Sequence, residues 1–364
     1  MAVITLDDLF DRPLLDTMTA DGYVRVQRHP TLPFVIHNYT EKSQFEGVWN
    51  PVTLACRGLI THAVTGEVLA RPYRKFFNHG QDEAGAFDLA APVTVTDKMD
   101  GSLGVLYSTP DGWAVATRGS FASDQAAHAT AVLNGRYGAF TPPPGLTLLY
   151  EIVYPANRIV VDYGDLDDLV LLGGVEIATG RSVPAAAVEG WPGPVVEALG
   201  YATLAEALAA PPRTGREGLV VHFPDTDHRI KIKYAEYVAL HRIVTGLNAR
   251  VVWEALVTDD VPALVERLPD EFHDWVKSVE TALTAAVAAR AVEVEAAFAE
   301  IVAGLPGAGN GGFTRKEFAL VASRHPDRGK LFLRLDDRDY RPLLWQEVRP
   351  APDWSPHGRT FDAD

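Results

Sequence analysis

One cysteine in 364 residues, Cys56, leaves no partner for an internal disulfide. That excludes a disulfide-framed mini-protein and suits a reducing cytoplasm. Long apolar runs are also lacking. No stretch of about 18 or more apolar residues occurs, so nothing here is expected to span a membrane. The N-terminal stretch MAVITLDDLFDRPLLD has no basic start and no long apolar run, and is not expected to be a secretion signal. Positive charge is scarce: 33 Lys and Arg stand against 48 Asp and Glu, a formal net charge of −15. That argues against a protein that coats nucleic acid regardless of sequence, while a local basic groove stays compatible with it. Metal-like histidine spacing is missing too. None of the 11 histidines lies in an HExxH pattern or a Cys/His cluster, so a zinc site is not expected.

What is present is ordinary globular composition, with 47% hydrophobic and 22% charged residues. At roughly 100–200 residues per domain the length suggests two domains. The first two-thirds reads as strands joined by turns. APVTVTDKMDG alternates, and GVLYST and WAVATRG flank a Pro110-Asp111-Gly112 turn, which is a hairpin pattern. LTLLYEIV and LVLLGGVEI read as buried strands. LVVHF and RIKIKY make a second hairpin, in which Lys231 and Lys233 share a face because the strand period is two. Helices are expected at 122–134, 184–198 and 203–210.

Near residue 245 the composition changes. VVWEALV and VPALVERL have helical spacing, and Glu271–Val302 is rich in Ala, Val and Glu, which predicts long helices. A glycine-rich break follows at 304–312. It lacks the GK[ST] of a phosphate loop, so it reads as a linker between helices. FTRKEFALVASRH is then another helix, and a Pro-rich tail ends the chain.

The most informative segment is Lys98-Met99-Asp100-Gly101-Ser102, where a lysine ends a strand and a glycine turn follows. A turn glycine permits close backbone approach to a ligand. Alone, KxDGS fits a surface lysine before a turn equally well. The rest of the series is more specific. Cys56-Arg57-Gly58 and Arg74-Lys75-Phe76-Phe77-Asn78 precede it. Thr117-Arg118-Gly119-Ser120, Tyr150-Glu151-Ile152-Val153, Pro155-Ala156-Asn157-Arg158-Ile159-Val160, Arg216-Glu217-Gly218 and Lys231-Ile232-Lys233 follow.

This ordered series resembles the covalent nucleotidyltransferases, and within them the bacteriophage-type RNA ligase 1 family. The resemblance covers roughly residues 35–245. It implies an α+β fold: an N-terminal nucleotidyltransferase domain, 1–245, with antiparallel sheets and flanking helices, then a mainly helical C-terminal domain, 246–364, serving RNA specificity. It implies ATP as AMP donor, with Mg2+ or Mn2+. Lys98 matches the nucleophile that forms lysyl-AMP. Glu151 matches a carboxylate at the nucleotide ribose, and Glu217 one at the metal's water shell. Lys231 and Lys233 match the pair that contacts the α-phosphate. Arg57 and Lys75 are expected near phosphates and Phe77 near the nucleotide. Asp100 and Gly101 belong to the nucleophile turn, and Arg118 is a further phosphate candidate. The partners implied are RNA 5′-phosphate and 3′-hydroxyl ends, such as cleaved tRNA, and a separate end-healing kinase or phosphatase.

The chemistry is coherent without the family. A free lysine has a pKa of about 10.4 and is a poor nucleophile at neutral pH, so a site using one needs nearby cations or desolvation. A carboxylate such as Glu151, set within the apolar strand LLYEIVYP, is costly unless paired or functional. Tyr39 and Trp49 read as core, and Cys56 as a buried structural thiol. Two other readings compete: a DNA ligase or capping enzyme, and an inactive RNA-binding module. The first would need five β-rich segments of an OB-fold after Lys233. The second would be expected to have lost the lysine or a carboxylate. In the C-terminal region nine basic residues recur from Arg315 to Arg349 with acidic ones interleaved, which fits ion pairs and RNA contact alike.

Overall fold

The computed structural model describes residues 3–266, 268, 272–306, 312–351 and 354. Residues 307–311 of the glycine-rich break, and residue 271 where the long helix was expected to begin, lie outside the described residues. The chain divides into two compact units, Met1–Thr245 and Gly246–Asp364.

The first unit begins with helices α1 (Leu6–Leu9) and α2 (Arg12–Ala20) and strands β1 (Val24–Arg28) and β2 (Phe34–Tyr39). Helices α3 (Glu41–Phe45) and α4 (Pro51–Ala55) lead to strands β3 (Arg57–His62) and β4 (Val68–Ala70). These strands form an antiparallel sheet in the order β1-β2-β3-β4. Local chemistry starts α4. Asn50 Oδ1 accepts from Val52 N and Thr53 N at 3.0 and 3.1 Å, and Pro51 supplies the first helical residue. Cys56 ends that helix fully buried, and burial pushes its thiol up, as suits an inert structural residue.

Strands β5 (Phe77–Asn78), β6 (Thr94–Lys98), β7 (Ser102–Thr109) and β8 (Gly112–Thr117) come next, then helix α5 (Asp124–Arg136). After it come β9 (Leu146–Val153), β10 (Asp168–Glu176), β11 (Ser182–Pro184), β12 (Ala198–Leu199), helix α6 (Leu204–Ala209), β13 (Gly218–Phe223), β14 (His228–Lys233) and helix α7 (Ala235–Thr245). Two five-stranded sheets result. One runs β11-β10-β9-β7-β8, antiparallel throughout. The other runs β12-β6-β13-β14-β5, antiparallel except where β5 joins β14. Helix α5 covers the first with Ala129 and Leu133, and α6 covers the second with Leu204 and Ala207.

Both expected hairpins form, as β7–β8 and β13–β14. The helix expected at 184–198 does not. Residues 185–187 make one 3-10 turn, and Pro192, Pro194 and the left-handed Gly190 (φ 77°) end any continuation. Its Ala- and Val-rich composition hid those breakers.

The β13–β14 turn ties the two five-stranded sheets together through Asp227. Its carboxylate accepts from Ser182 N at 3.1 Å and Ser182 Oγ at 3.0 Å, and pairs with His222 Nε2 at 2.7 Å and Arg229 at 3.4 Å. Burial opposes ionisation. The His222 and Ser182 hydrogen bonds and the Arg229 charge outweigh it and hold the carboxyl at about 2, below the ordinary 3.8. A depressed folded pKa gives stability that is full above about pH 4 and lost as pH falls towards 2. Asp227→Ala should therefore cost about 1–3 kcal/mol at neutral pH, read by urea unfolding, and much less near pH 2. An equal deficit at both would show that the charge plays no part.

The second unit is helical: α8 (Ala249–Val257), α9 (Val261–Glu266), α10 (His273–Ala303), α11 (Arg315–Ala322), α12 (Arg328–Leu335) and α13 (Arg341–Glu347). Among its described residues there is no strand. Val294, Phe318, Leu331 and Leu344 pack α10 to α11, α12 and α13. The last two helices occupy part of what reads in sequence as tail. Several basic residues of the Arg315–Arg349 series form ion pairs within this unit. Arg315 pairs with Asp336, Lys330 with Asp327 and Glu347, and Arg334 with Glu295 at 3.0 Å. Arg324 and Arg328 are exposed.

Candidate active site

Lys98 is the last residue of β6. Register places it opposite Gly218 on β13, and Gly218 opposite Lys233 on β14. The two lysines thus flank a residue with no side chain. Gly218 adopts φ 154°, and a Cβ there would overlap the Ile232 carbonyl oxygen. Only glycine fits this crossing. Glu217, just before β13, fills the space. Its Oε1 lies 2.7 Å from Lys98 Nζ and 3.0 Å from Lys233 Nζ. Burial of Glu217 opposes its charge, but the two ammonium groups outweigh that and hold its carboxyl below the usual range.

Lys231 shares the face of Lys233, as the period of two predicts. Its ammonium lies 5.7 Å from the centre of the Phe76 ring, and the Arg57 guanidinium lies 5.2 Å from it. Phe76 is half-buried, whereas Phe77 is buried in edge contact with Trp49 at 5.1 Å. Of the two rings in KFFN, Phe76 is therefore the one beside Arg57 and Lys231.

Glu151 comes from β9, on the neighbouring sheet. Gly101 makes this approach possible: a Cβ there would lie 2.7 Å from the Ile152 carbonyl oxygen and 3.0 Å from Glu151 Cγ. Burial pushes the Glu151 carboxyl up to about 8. Lys98 and Arg57 pull it down, and Glu217 and Asp100 push it further up. The two carboxyls are thus shifted in opposite directions from the ordinary value. Glu217 is paired twice, and Glu151 is desolvated without a direct ion pair among the described contacts.

Asp100 faces inward. Its Oδ2 accepts from Val160 N and Val161 N at 2.9 and 2.8 Å, and its Oδ1 accepts from Tyr237 Oη at 2.8 Å. Its own amide donates to Tyr163 Oη at 2.8 Å. Asn157 adds a second tie, donating to Ser102 Oγ at 3.2 Å and the Ile152 carbonyl at 3.1 Å. The Lys98–Ser102 turn and the PANRIV segment are thereby locked together, so Asp100 organises the turn.

Lys75 and Arg118 meet at Tyr39, and Phe77 lies against Lys75 and Trp49. Lys75 Nζ donates to Tyr39 Oη at 3.4 Å and Gln44 Oε1 at 3.2 Å, and lies 5.0, 5.2 and 5.3 Å from the rings of Tyr39, Trp49 and Phe77. Arg118 Nη1 donates to Tyr39 Oη at 2.8 Å. Aromatic faces stabilise cations here, by about 0.5–2 kcal/mol each. Tyr39 is buried and Trp49 half-buried, and both rings hold these cations. Spacing alone does not reveal that, because 36 residues separate Lys75 from Tyr39. Asp97, Arg213 and Tyr237 also carry no motif signal.

Among the described residues no group of three or more His, Cys, Asp or Glu could cage a metal ion. No helix of the described chain is long and apolar enough to cross a membrane.

Among known proteins, an RNA ligase of Rhodothermus phage RM378 is 23% identical, with 78% of this chain and 81% of that one covered. An archaeal ATP-dependent RNA ligase structure is 17% identical with a TM-score of 0.43, and 67% of this chain covers 64% of that one. Naegleria gruberi RNA ligase with pyrophosphate is 21% identical with a TM-score of 0.33, covering 42% and 52%. The RNA ligase family model matches residues 55–237. That span is half of the chain and carries Arg57, Lys75, Lys98, Glu151, Glu217, Lys231 and Lys233, so the chain belongs to the RNA ligase family.

Proposed function

We propose that this chain is an ATP-dependent RNA ligase that joins a 5′-phosphate to a 3′-hydroxyl through a lysyl-AMP intermediate, in RNA repair. The observation that carries this reading is the Lys98–Glu217–Lys233 cluster at the head of the glycine turn, with Glu151 beside it. Lys98 Nζ attacks the α-phosphorus of ATP and loses a proton. The N–P bond forms as the bond to pyrophosphate breaks. Lys231, Lys233 and Arg57 offset phosphate charge where it develops. AMP then passes to the RNA 5′-phosphate, and the 3′-hydroxyl displaces it.

Among the described residues no group of three carboxylates or imidazoles could cage a divalent ion, so an ion arriving with ATP would be held by Glu217 through its water shell. It would supply charge neutralisation. The helical second unit favours this reading over a DNA ligase or capping enzyme, which would place an OB-fold there. That unit serves RNA selection, and Arg324 and Arg328 are its exposed candidates for phosphate contact. Cleaved tRNA is the substrate class expected, with ends prepared by a separate kinase or phosphatase.

The test is incubation of the full chain with α-labelled ATP, GTP or NAD and magnesium or manganese, followed by a denaturing gel. Label should appear from ATP alone. Added 5′-phosphorylated RNA should then discharge it and be joined. No label from any nucleotide, in protein shown to be folded, would leave the inactive-module reading in its place.

A further inference from the structure

Asp97 and Lys98 are neighbours on β6, so their side chains point to opposite faces of the sheet. Lys98 faces the cluster just described. Asp97 faces the core, with its side chain 1% exposed. Arg213 Nη1 lies 3.2 Å from its Oδ1, and Arg216 Nη1 lies 3.2 Å from its Oδ2. Arg213 also reaches Glu197 at 2.6 Å, whose carbonyl accepts from Asp97 N at 2.9 Å.

Arg216 immediately precedes Glu217. The same two chain segments are therefore bridged twice. Lys98–Glu217 joins them on one face and Asp97–Arg216 on the other. The loop between them and the preceding helix carries Pro211, Pro212 and the left-handed Gly215 (φ 69°). The Glu217 carbonyl accepts from Tyr234 N at 3.0 Å, and from Gly218 onward the pairing of β13 with β6 and β14 holds the backbone. A buried ion pair adds little net stability over an apolar pair of the same volume. The β6–β13 ladder sets the distance between the strands; what the pair adds is an anchor for the segment 213–217, which precedes that ladder and carries Glu217.

We propose that Asp97 is a positioning residue: by holding Arg213 and Arg216 behind the sheet it fixes Glu217, and through Glu217 the direction of Lys98 Nζ. The proposal rests on the reading of Lys98 as nucleophile. It assigns no contact with substrate to Asp97.

The test uses full-length Asp97→Asn, Arg216→Gln and the double variant. The first readout needs no nucleotide: the rate at which Lys98 is acetylated by an amine-specific reagent, followed by peptide mass spectrometry, with exposed Lys316 as internal control. Lys98 should react several-fold faster in each single variant. The double should be no worse than the larger single, because the partners act as one unit. The second readout is lysyl-AMP formation per folded molecule. Its limiting rate should fall by about 10–100-fold with the half-saturating ATP concentration unchanged, as expected of a misplaced group.

A merely structural ion pair would lower the unfolding midpoint and leave both rates at wild-type values, which would overturn the proposal, as would effects that simply add. If Asp97→Asn fails to fold, Arg216→Gln keeps the Asp97–Arg213 pair and carries the test. Faster Lys98 acetylation in a protein whose wild type takes no AMP would uphold the positioning role and defeat the ligase reading instead.

Discussion

Lys98→Ala should take up no AMP from labelled ATP, a loss of at least about 10³-fold, because removing the nucleophile of a covalent route leaves only background chemistry. The substitution should be tolerated by the fold. Lys98 is 20% exposed, and Glu217 keeps Lys233 as a partner at 3.0 Å. The same variant should still seal RNA that already carries a 5′-adenylate. That step breaks the bond between the adenylate and the RNA phosphate and needs no bond to lysine. The contrast separates loss of a nucleophile from loss of a site. Measured together, adduct yield and sealing of pre-adenylated RNA should diverge sharply. Wild-type adduct in Lys98→Ala would remove Lys98 from the reaction, and loss of both activities in folded protein would make it a general phosphate contact.

Much of this site was legible because strand periodicity carries it. The alternation of RIKIKY sets Lys231 and Lys233 on one face, and the β6–β13–β14 register then delivers Lys98 beside Lys233. Glu151 was conspicuous as a carboxylate inside an apolar strand, and its carboxyl is indeed strongly raised by burial. What was not legible depends on tertiary closure. The ring cluster around Lys75 joins Tyr39, Trp49 and Phe77 from separate elements, and no spacing rule links them. Asp97 adjoins Lys98 in sequence but reads as an ordinary strand charge until its two arginines are seen behind it. The misread helix at 184–198 has the opposite cause. Helix-forming residues there are overridden by two prolines and a left-handed glycine. In the second unit the basic series was equally compatible with ion pairs and RNA contact, and spacing did not show that Arg315, Lys330 and Arg334 pair with Asp336, Asp327 and Glu295.

Glu217→Gln should lower lysyl-AMP formation by about 10²–10³-fold while preserving the shape of the site. Its carboxylate is ionised by design of its surroundings: burial disfavours the charge, and Lys98 and Lys233 more than restore it. Removing that charge leaves two ammonium groups facing each other across Gly218, in a place where water is scarce. Their repulsion should displace Lys98 Nζ from its aim as well as remove the group nearest any divalent ion. Breaking a buried pair costs about 3–5 kcal/mol when one partner is lost outright, so Glu217→Ala should unfold more readily than Glu217→Gln. The glutamine variant is therefore the informative one. Its adenylation rate at saturating ATP, set beside its urea midpoint, separates chemistry from stability. Sealing of pre-adenylated RNA should fall too, because the reacting phosphate returns to the same cations. A folded Glu217→Gln that forms lysyl-AMP at the wild-type rate would mean that the Lys98–Glu217–Lys233 cluster is a structural clasp, and the nucleophile would then have to be oriented by Glu151 alone.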